Sequence, residues 1–268
     1  QVTGNDMSPK GMDGLKAGGG TATTDIAQIA GNDIVVTMLP AGQQVRDVYL
    51  GPSGLLAKAK KGTLFIDSST IDVETARLVA AKADESGMLL LDAPVSGGVG
   101  GAQGATLTFM VGGRDEAFAK AKPILDQMGK TVVHAGGAGA GQAAKICNNM
   151  ILGISMIAVS EAFALAEKLG LDKQKLFDIS SKSSGQCWSM TTYCPVPGPV
   201  PTSPANRDYA AGFTAAMMLK DLRLAQAASE SVHAKTPLGK EATELYEKYV
   251  DTGEAGKDFS GIIQFLRK

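Results

Sequence analysis

Asp33-Ile34-Val35-Val36-Thr37-Met38-Leu39 is the stretch that decides the fold class of this chain, because it is an apolar run rich in β-branched residues that stops at Pro40. Similar runs recur at residues 63–67, 88–92, 107–111 and 131–133. Several of them are apolar almost throughout, which is typical of strands that are covered on both faces in a parallel sheet. We therefore expect these runs to form the strands of one buried, parallel sheet.

Helix-like segments separate these runs. They cover roughly residues 24–30, 43–49, 73–86 and 116–128. Strands that alternate with helices predict βαβ units and a doubly wound, Rossmann-like sheet. We assign residues 1–138 to this α/β domain.

The sequence changes character near Gly139, after which no strand-like run is found. A long helix is expected from about residue 143 to 169, with Gly170 as its C-terminal cap. Shorter helices are expected near residues 173–181, 215–231, 237–250 and 259–266. Residues 139–268 are therefore predicted to form an all-helical second domain, which the long helix connects to the first.

Composition narrows the functional classes. The 268 residues are 44% hydrophobic and 20% charged with a net charge of -1, so there is no electrostatic case for nucleic acid or an anionic membrane as a partner. The longest apolar run, residues 150–159, is too short to cross a bilayer and predicts a buried helix. Three cysteines, at positions 147, 187 and 194, form neither a disulfide framework nor a zinc-site spacing. This pattern favours reduced thiols in an intracellular compartment, and no metal site is predicted.

A glycine-rich turn at residues 139–144 leads directly into a helix that carries Lys145 and Asn149. Residues four apart share one face of a helix, so an ammonium and an amide are predicted to point in the same direction. Burial disfavours the charged form of a lysine, which makes Lys145 a candidate for proton transfer. A solvated surface lysine is the alternative, and the apolar neighbours of Lys145 disfavour it. The two histidines, His134 and His233, lie outside any glycine-rich or polar cluster of the sequence.

Residues at strand ends are candidates for cofactor contacts, because ligands of Rossmann-like sheets bind at the carboxyl ends of the strands. Asp6 is placed to bind the ribose hydroxyls of NAD, and the neighbouring Met7 offers no cation for the 2′-phosphate of NADP. An ordinary loop aspartate is the simpler interpretation of that segment alone. Leu39 and Pro40 can line a dinucleotide through their backbone groups. Thr70 can donate a hydrogen bond to it or, equally well, cap the helix that follows.

Ser96, Gly97 and Gly98 form a turn after an apolar strand, and successive backbone N–H groups in such a turn can bind a carboxylate. The Ser96 hydroxyl adds a further donor. Four glycines within residues 97–101 favour close approach by a ligand over a plain glycine turn.

Two features of the helical half have alternative interpretations. Lys220 and Asp221 lie in an apolar helix, where Lys220 either completes a cleft or extends along the surface into solvent. Trp188 is the single tryptophan, and a place in the hydrophobic core is the default interpretation of such a residue. The alternative is that its ring forms the wall of a pocket.

Taken together, these segments resemble the β-hydroxyacid dehydrogenase family. Its substrate-binding signature is similar to residues 92–101 and its catalytic signature to residues 139–149, in the family's order and spacing. Three further stretches, at residues 183–189, 193–198 and 258–266, are more particular to the branch that acts on 3-hydroxyisobutyrate.

The resemblance implies an activity and a role for each candidate residue. NAD would accept hydride in the reversible oxidation of 3-hydroxyisobutyrate to methylmalonate semialdehyde, a step of valine catabolism. Lys145 would take the proton of the reacting hydroxyl, Asn149 would orient the substrate, and the 96–98 turn would hold its carboxylate. Lys220 would close the cleft from the helical domain. The residues that would contact the cofactor are Asp6, Leu39, Pro40, Thr70, Lys220 and Asp221.

Two other functions remain open: a sibling reductase of 2-hydroxy-3-oxopropanoate (tartronate semialdehyde), and a catalytically silent nucleotide-binding module of the same fold. The apolar character of the helical half favours an interface, so a homodimer or homotetramer is expected, and the resemblance implies a small 3-hydroxy acid as its substrate. A bacterial cytoplasmic location is expected, with the mitochondrial matrix as the alternative. Family members open with a strand, a Gly-x-Gly-x-x-Gly turn and a helix, so a βα unit of about 25 to 30 residues is expected to precede Gln1 in the biological chain.

Overall fold

The computed structural model describes residues 1–267, and the chain divides into two compact units. The first unit contains Gln1–Gly97 and Gly101–Lys145, and the second contains Gly98–Gly100 and the residues from Ile146 onward. All eight strands of the described residues belong to the first unit. The second unit is built from helices, as the residue pattern after Gly139 predicts.

The strands fall into two sheets. In chain order they are β1 (Thr3–Gly4), β2 (Thr21–Ala22), β3 (Ile34–Thr37), β4 (Leu64–Asp67), β5 (Leu89–Asp92), β6 (Val95–Ser96), β7 (Leu107–Gly112) and β8 (Gly129–Gly136). Strands β1 and β2 pair in parallel as a separate two-stranded sheet. The other six form one sheet in the order β3-β4-β5-β7-β6, with β8 paired to β7. The apolar runs of the sequence correspond to β3, β4, β5, β7 and β8.

The large sheet is mixed, which corrects the expectation of a parallel sheet. Strands β3, β4 and β5 are parallel to one another, and β8 is parallel to β7. Strand β7 runs antiparallel to both β5 and β6. Strand β6 lies in the link from β5 to β7 and itself pairs antiparallel with β7, so the chain reverses direction within this link instead of crossing over to a parallel neighbour.

Burial differs among the strands of this sheet. All four residues of β4 and of β5 are buried, as their apolar residues predict, and the aspartate that ends each strand is buried with them. Strand β3 alternates instead, with Val35 and Thr37 buried and Ile34 and Val36 exposed, so the expectation of two covered faces is wrong for this strand. The reason is its position, because β3 lies at the edge of the six-stranded sheet.

Thirteen α-helices accompany the strands within residues 1–267. In chain order they are α1 (Pro9–Ala17), α2 (Ile26–Ala30), α3 (Gly42–Leu50), α4 (Leu55–Lys58), α5 (Val73–Glu85), α6 (Gly98–Gln103), α7 (Asp115–Met128), α8 (Ala140–Lys168), α9 (Lys173–Ser180), α10 (Trp188–Thr191), α11 (Ala215–Ser231), α12 (Pro237–Tyr249) and α13 (Ile262–Leu266). Each long helix predicted from the sequence has a counterpart among these. The segment predicted as helix near 259–266 is a 3₁₀ turn at Phe259–Gly261 followed by α13.

Each face of the large sheet has its own hydrophobic core. Phe65 of β4 belongs to a cluster that contains Val79 of α5, whereas the next residue, Ile66, belongs to a second cluster that contains Leu125 of α7. Successive residues of a strand point to opposite faces, so helices cover both faces of β4. This is the layered, Rossmann-like arrangement that the alternating sequence predicts.

Helix α8 has 29 residues, and its apolar side chains contribute to two cores of the second unit. Ile157 clusters with Met218 of α11, and Phe163 clusters with Met190 of α10. The helix is also long and apolar enough to cross a bilayer by length and composition, and 44% of its most apolar window is buried within the structure. The prediction of a buried helix is therefore correct for only part of its surface.

Several short elements have no counterpart in the sequence-based prediction. They are β2, β6, α1, α4, α6 and α10. All but α1 have six residues or fewer, a length at which hydrophobic periodicity does not separate helix from strand. Helix α1 has nine residues and buries none of them, so it shows no apolar stripe.

Candidate active site

A carboxylate holds the first turn of α8 to the end of β5. Asp92, the last residue of β5, accepts the backbone N–H of Gly139 at Oδ1 (2.7 Å) and that of Gln142 at Oδ2 (2.9 Å). Backbone N–H groups at the start of a helix lack partners within it, and an acid there also interacts favourably with the helix dipole. Burial raises the pKa of Asp92 to about 6, and the two N–H groups act in the opposite direction.

Gly141 allows this turn to approach the sheet closely. A Cβ atom at this position would lie 2.5 Å from the carbonyl oxygen of Asp92 and closer still to that of Met110. A side chain would therefore force the backbone apart. The small residues at 139–144 can lie close to either the backbone or a ligand. At Gly141 the neighbour is the backbone of β5 and β7.

Gln142 is fully buried and joins the same turn to the loop after β4. Its Oε1 accepts the backbone N–H of Ile71 (3.1 Å), and its Nε2 donates to the carbonyl oxygen of Ser69 (2.7 Å). The Ser69 hydroxyl in turn accepts the N–H of Leu39 (2.8 Å) and donates to Oδ1 of Asp67 (2.6 Å). A continuous set of hydrogen bonds therefore links the ends of β3 and β4 to α8.

Lys145 follows Gln142 by one turn of α8 and is buried, with 7% of its surface exposed. Asn149 lies one further turn along and is 1% exposed. Both side chains are on one side of the helix, as their spacing predicts. The alternative of a solvated surface lysine is wrong, because lysines on a solvent face are mostly exposed.

In the second unit, Asn149 forms a group with Asp221 and Lys220. Nδ2 of Asn149 donates to Oδ2 of Asp221 (2.5 Å), and Oδ1 of Asn149 accepts from Nδ2 of Asn148 (3.0 Å). The Lys220 ammonium lies 3.0 Å from Oδ1 of Asp221. A buried carboxylate requires such partners, since an unpaired charge is strongly disfavoured away from water. Lys220 therefore pairs with a buried acid while 34% of its side chain is exposed, and three residues from two separate motifs are brought together.

The turn at Ser96, Gly97 and Gly98 follows β6. Ser96 ends that strand, is partly buried and lies opposite Thr108 of β7. Gly97 and Gly98 have φ angles of 129° and 61°, in the region that residues with a Cβ atom rarely adopt. The backbone of this turn therefore requires glycine, in addition to any demand that a ligand would make.

Three of the residues predicted to contact a cofactor lie where neighbouring parallel strands end. Leu39 and Pro40 follow β3, and Thr70 follows β4. The cap of α5 is Asp72, whose Oδ1 accepts the N–H of Thr75 (2.7 Å). The N-cap position of α5 is therefore held by Asp72, two residues after Thr70.

Asp6 follows β1 and is exposed. Its Oδ1 accepts the N–H of Ser8 (2.7 Å), so this oxygen also stabilises its own loop, as the simpler interpretation holds. A carboxylate has about four acceptor positions, which leaves capacity for ribose hydroxyls. A carboxylate and backbone groups at the ends of parallel strands are the chemistry that NAD requires, so the residues present fit this cofactor. Within residues 1–267, no group of three or more His, Cys, Asp or Glu side chains is placed to hold a metal ion.

His134 lies in a polar, glycine-lined cavity, which corrects the sequence analysis. The cavity has a volume of about 590 Å³ and is lined in part by Gly113, Gly136 and Gly137. The Nε2 atom of His134 is 2.9 Å from the carbonyl oxygen of Gly113, and Nδ1 is 3.4 Å from Oδ1 of Asp115. The loop after β7 and the end of β8 form this cluster together, so neither segment reveals it alone.

Trp188 is 48% exposed, so its default assignment to the core is wrong. Its ring stacks on Tyr193, with 4.8 Å between the centroids, and Tyr193 stacks on Phe259 at 5.4 Å. The Tyr193 hydroxyl donates to Oδ2 of the buried Asp258 (2.9 Å). Trp188 is thus the outer end of an aromatic column whose inner end is buried in the second unit.

Sequence reasoning missed the parts played by Asp92 and Gln142. In the sequence, Asp92 is the first residue of a glycine-rich signature, and Gln142 is one member of a turn. Their partners are 47 to 73 positions away in the chain, so no local pattern reveals them. The one available signal was a polar amide in a turn made otherwise of glycine and alanine.

Two family models match the chain. Residues 1–137 match the NAD binding domain of 6-phosphogluconate dehydrogenase. Residues 139–266 match the model described as NAD-binding of NADP-dependent 3-hydroxyisobutyrate dehydrogenase. Both parts of the chain therefore correspond to NAD-binding domains.

Relatives match nearly the whole chain. A probable 3-hydroxyisobutyrate dehydrogenase of Mycobacterium bovis is 51% identical over 99% of this chain and 90% of its own length. An NAD-dependent L-serine dehydrogenase of Pseudomonas aeruginosa is 46% identical over 97% of this chain and 88% of its own. The solved structure of Mycobacterium tuberculosis 3-hydroxyisobutyrate dehydrogenase with L-serine has a TM-score of 0.93 and 50% identity, covering 100% of this chain and 91% of that one. The chain therefore belongs to the β-hydroxyacid dehydrogenase family and, within it, to the group of the 3-hydroxyisobutyrate dehydrogenases.

Proposed function

We propose that this chain oxidises 3-hydroxyisobutyrate to methylmalonate semialdehyde with NAD, as a step of valine catabolism. The observation that carries the proposal is a buried lysine, Lys145, on a helix whose first turn is bonded to the ends of β4 and β5. Identity of 51% with a relative named for this substrate supports the same reaction.

Lys145 is the proposed proton acceptor. Its amine takes the proton of the substrate hydroxyl as hydride leaves the adjacent carbon, and it returns that proton in the reverse direction. Burial supports this role, since it disfavours the charged form of a lysine. NAD, when bound, supplies the hydride acceptor.

The 96–98 turn is the proposed site for the substrate carboxylate, through the serine hydroxyl and the backbone N–H groups of the two glycines. Asn149 is proposed to orient the substrate. Its amide can form four hydrogen bonds, of which Asp221 and Asn148 take two. Lys220, paired with Asp221, is proposed to provide a second cation for the substrate.

The proposed cofactor contacts are Asp6, Leu39, Pro40, Thr70, Lys220 and Asp221. NAD is proposed in preference to NADP, because the carboxylate of Asp6 accepts ribose hydroxyls but repels a 2′-phosphate. Met7, the next residue, is fully exposed and uncharged, and so offers no compensating cation.

The initial rate of NAD reduction with 3-hydroxyisobutyrate tests the reaction and the role of Lys145. The parent protein should turn over, and Lys145→Ala should lose about 10²–10⁴-fold, as is typical when a general acid–base residue is removed. Lys168→Ala is the matched control, because Lys168 is an exposed lysine in the last turn of the same helix. Turnover that survives in Lys145→Ala would contradict the proton-transfer role.

L-serine is a second candidate substrate. A solved structure at 50% identity is of the enzyme with L-serine, and a relative at 46% identity is named for L-serine. Comparing kcat/KM for 3-hydroxyisobutyrate, L-serine and 2-hydroxy-3-oxopropanoate decides among these acids. Absence of turnover with all three would favour the catalytically silent module.

We also propose a homodimer or homotetramer. Ile151 and Leu165 of α8, and Leu169 directly after it, expose 64%, 61% and 75% of their surface. Leu165 and Leu169 follow Ile151 by 14 and 18 positions, about four and five turns of a helix with 3.6 residues per turn. These three side chains therefore lie on nearly the same side and form one apolar stripe. Exposed apolar surface of this kind is typical of association sites.

A bacterial cytoplasmic location is proposed, with the mitochondrial matrix as the alternative. The three cysteines are free thiols, which suits a reducing compartment. Recovery in a membrane fraction would contradict this location. A functional division into residues 1–138 and 139–268 is also proposed, and the family matches at 1–137 and 139–266 support it. Limited proteolysis that cuts elsewhere first would contradict this division.

A further inference from the structure

Gln142 directs both ends of its amide at a single short loop. Oε1 accepts the N–H of Ile71, and Nε2 donates to the carbonyl oxygen of Ser69. These two residues flank Thr70, one of the proposed cofactor contacts. The amide therefore fixes the backbone on both sides of Thr70.

The backbone of Gln142 is fixed as well. Its N–H donates to Asp92 at the end of β5, and its side chain is 0% exposed. Three residues further along α8 lies Lys145, about 4.5 Å away along the helix axis. One residue thus joins the turn that precedes Lys145 to the loop that carries Thr70.

The Ser69 side chain extends these contacts to a second cofactor segment. Its hydroxyl accepts the N–H of Leu39 and donates to Asp67, which is itself buried and also accepts from Thr37 (2.8 Å). Displacement of the loop after β4 would therefore also disturb the end of β3.

We propose that Gln142 is a positioning residue for hydride transfer, which holds the cofactor loop at 69–71 at a fixed distance from Lys145. The inference rests on the proposed function, because it assigns the loop to NAD and Lys145 to the substrate hydroxyl. Its consequence for the rate is large, since a misplacement of about 1 Å between reacting groups can cost about 10²-fold.

Two substitutions separate this role from mere packing. Gln142→Met keeps a similar volume and removes both hydrogen bonds. Gln142→Glu keeps an acceptor for the N–H of Ile71, but a carboxylate cannot donate to the carbonyl oxygen of Ser69. A protonated carboxyl can do both, so this variant matches the amide only when it carries a proton.

The ionisable groups near position 142 favour that proton. Asp92 and Asp67 approach from β5 and β4, and Lys145 lies on the same helix. Burial and the two carboxylates oppose a further negative charge at this position, while the lysine favours it. The pH dependence of Gln142→Glu must therefore be measured relative to the parent protein, whose own groups titrate as well.

The experiment compares turnover of the two variants with that of the parent from about pH 6 to pH 8. Gln142→Met should lose about 10–10²-fold at every pH. Gln142→Glu should lose a similar amount of turnover near pH 8. Its turnover relative to the parent should then recover as the pH falls towards 6. Gln127→Glu, at an exposed glutamine of α7, is the control and should follow the parent throughout.

Two measurements do not depend on turnover. Amide hydrogen exchange of Ile71 should be faster in Gln142→Met, because its N–H loses its acceptor. Isothermal titration calorimetry should show weaker binding of NADH to the same variant. If the parent does not oxidise the substrate, the proposed function is wrong. The exchange rate of the Ile71 amide and the NADH affinity would still test whether Gln142 positions the 69–71 loop.

Three outcomes would overturn the inference. One is that Gln142→Met keeps the turnover and the NADH affinity of the parent protein. Another is that Gln142→Met and Gln142→Glu lose turnover equally, and that the turnover of each relative to the parent stays constant across the pH range. A purely structural role would produce that result. The third is unchanged exchange of the Ile71 amide.

Discussion

At the scale of single residues, the site depends on side chains that bind the backbone of distant segments. Asp92 caps α8 from the end of β5, and Gln142 extends from α8 to the loop after β4. Neither needs to touch a substrate to influence Lys145, because each constrains the turn from which that lysine projects. A buried carboxylate in such a position also makes stability depend on pH.

Replacing Asp92 by Asn tests this dependence. Burial raises the pKa of Asp92 from its ordinary 3.8 to about 6, so between these values the folded state holds a proton that the unfolded state releases. The contribution of Asp92 to stability is therefore fully present below about pH 4 and falls by about 3 kcal/mol as the pH rises to about 6. Urea titrations across this window should show the parent losing stability relative to Asp92→Asn. A difference that stays constant with pH would refute the assignment.

The same residues show what a sequence can and cannot predict at this scale. Spacing alone predicts that Lys145 and Asn149 share a face, because both belong to one helix. It cannot predict that Asp92 receives the N–H of Gly139, 47 positions away, since that contact depends on how a strand and a helix meet. The role of Gln142 is hidden for the same reason.

At the scale of elements, the sequence predicts where the strands lie better than the direction in which they run. Apolar composition locates β4 and β5, because burial on both faces favours apolar residues up to the aspartate that ends each strand. The direction of β7 leaves no such mark, since side chains alternate with a period of two in parallel and antiparallel strands alike. The exposure of one face of β3 depends on the place of β3 at the edge of the sheet. The periodicity of its sequence does not reveal the strand order.

The first turn of α8 offers a direct test of close packing between elements. Gly141→Ala should destabilise the protein by about 1–3 kcal/mol, because its Cβ would meet the carbonyl oxygens of Asp92 and Met110. Gly137→Ala is the matched control, since a Cβ there would meet no atom within 4 Å. Urea unfolding of both variants measures the difference. Equal stability of the two would show that the sheet can move away from α8 without cost.

At the scale of the whole molecule, the apolar stripe of α8 is the feature that bears on assembly. It comprises Ile151 and Leu165 of α8 and Leu169 directly after it, which are exposed, whereas other large apolar side chains of the helix, such as Met156 and Phe163, are buried in cores. The sequence predicts the apolar character of this helix but not which part of it remains uncovered, because that depends on where α10 and α11 pack.

Charges placed on the stripe should therefore reduce the oligomeric state. We expect multi-angle light scattering to give a mass of two or four chains for the parent protein and a smaller multiple for Leu165→Lys combined with Leu169→Lys. Leu238→Lys, on α12 and 66% exposed, is the control and should leave the mass unchanged. A parent protein that is monomeric at working concentration would exclude the proposed assembly.

The aromatic column in the second unit has an optical consequence. Trp188 is the only tryptophan, so the tryptophan fluorescence of the entire chain comes from one ring that is 48% exposed and stacks on Tyr193. A shift in its emission on addition of a hydroxy acid would report a change at that ring and at no other part of the protein. Reduced nicotinamide absorbs light where tryptophan emits, so quenching by NADH would measure how near the cofactor comes to Trp188 without any attached label.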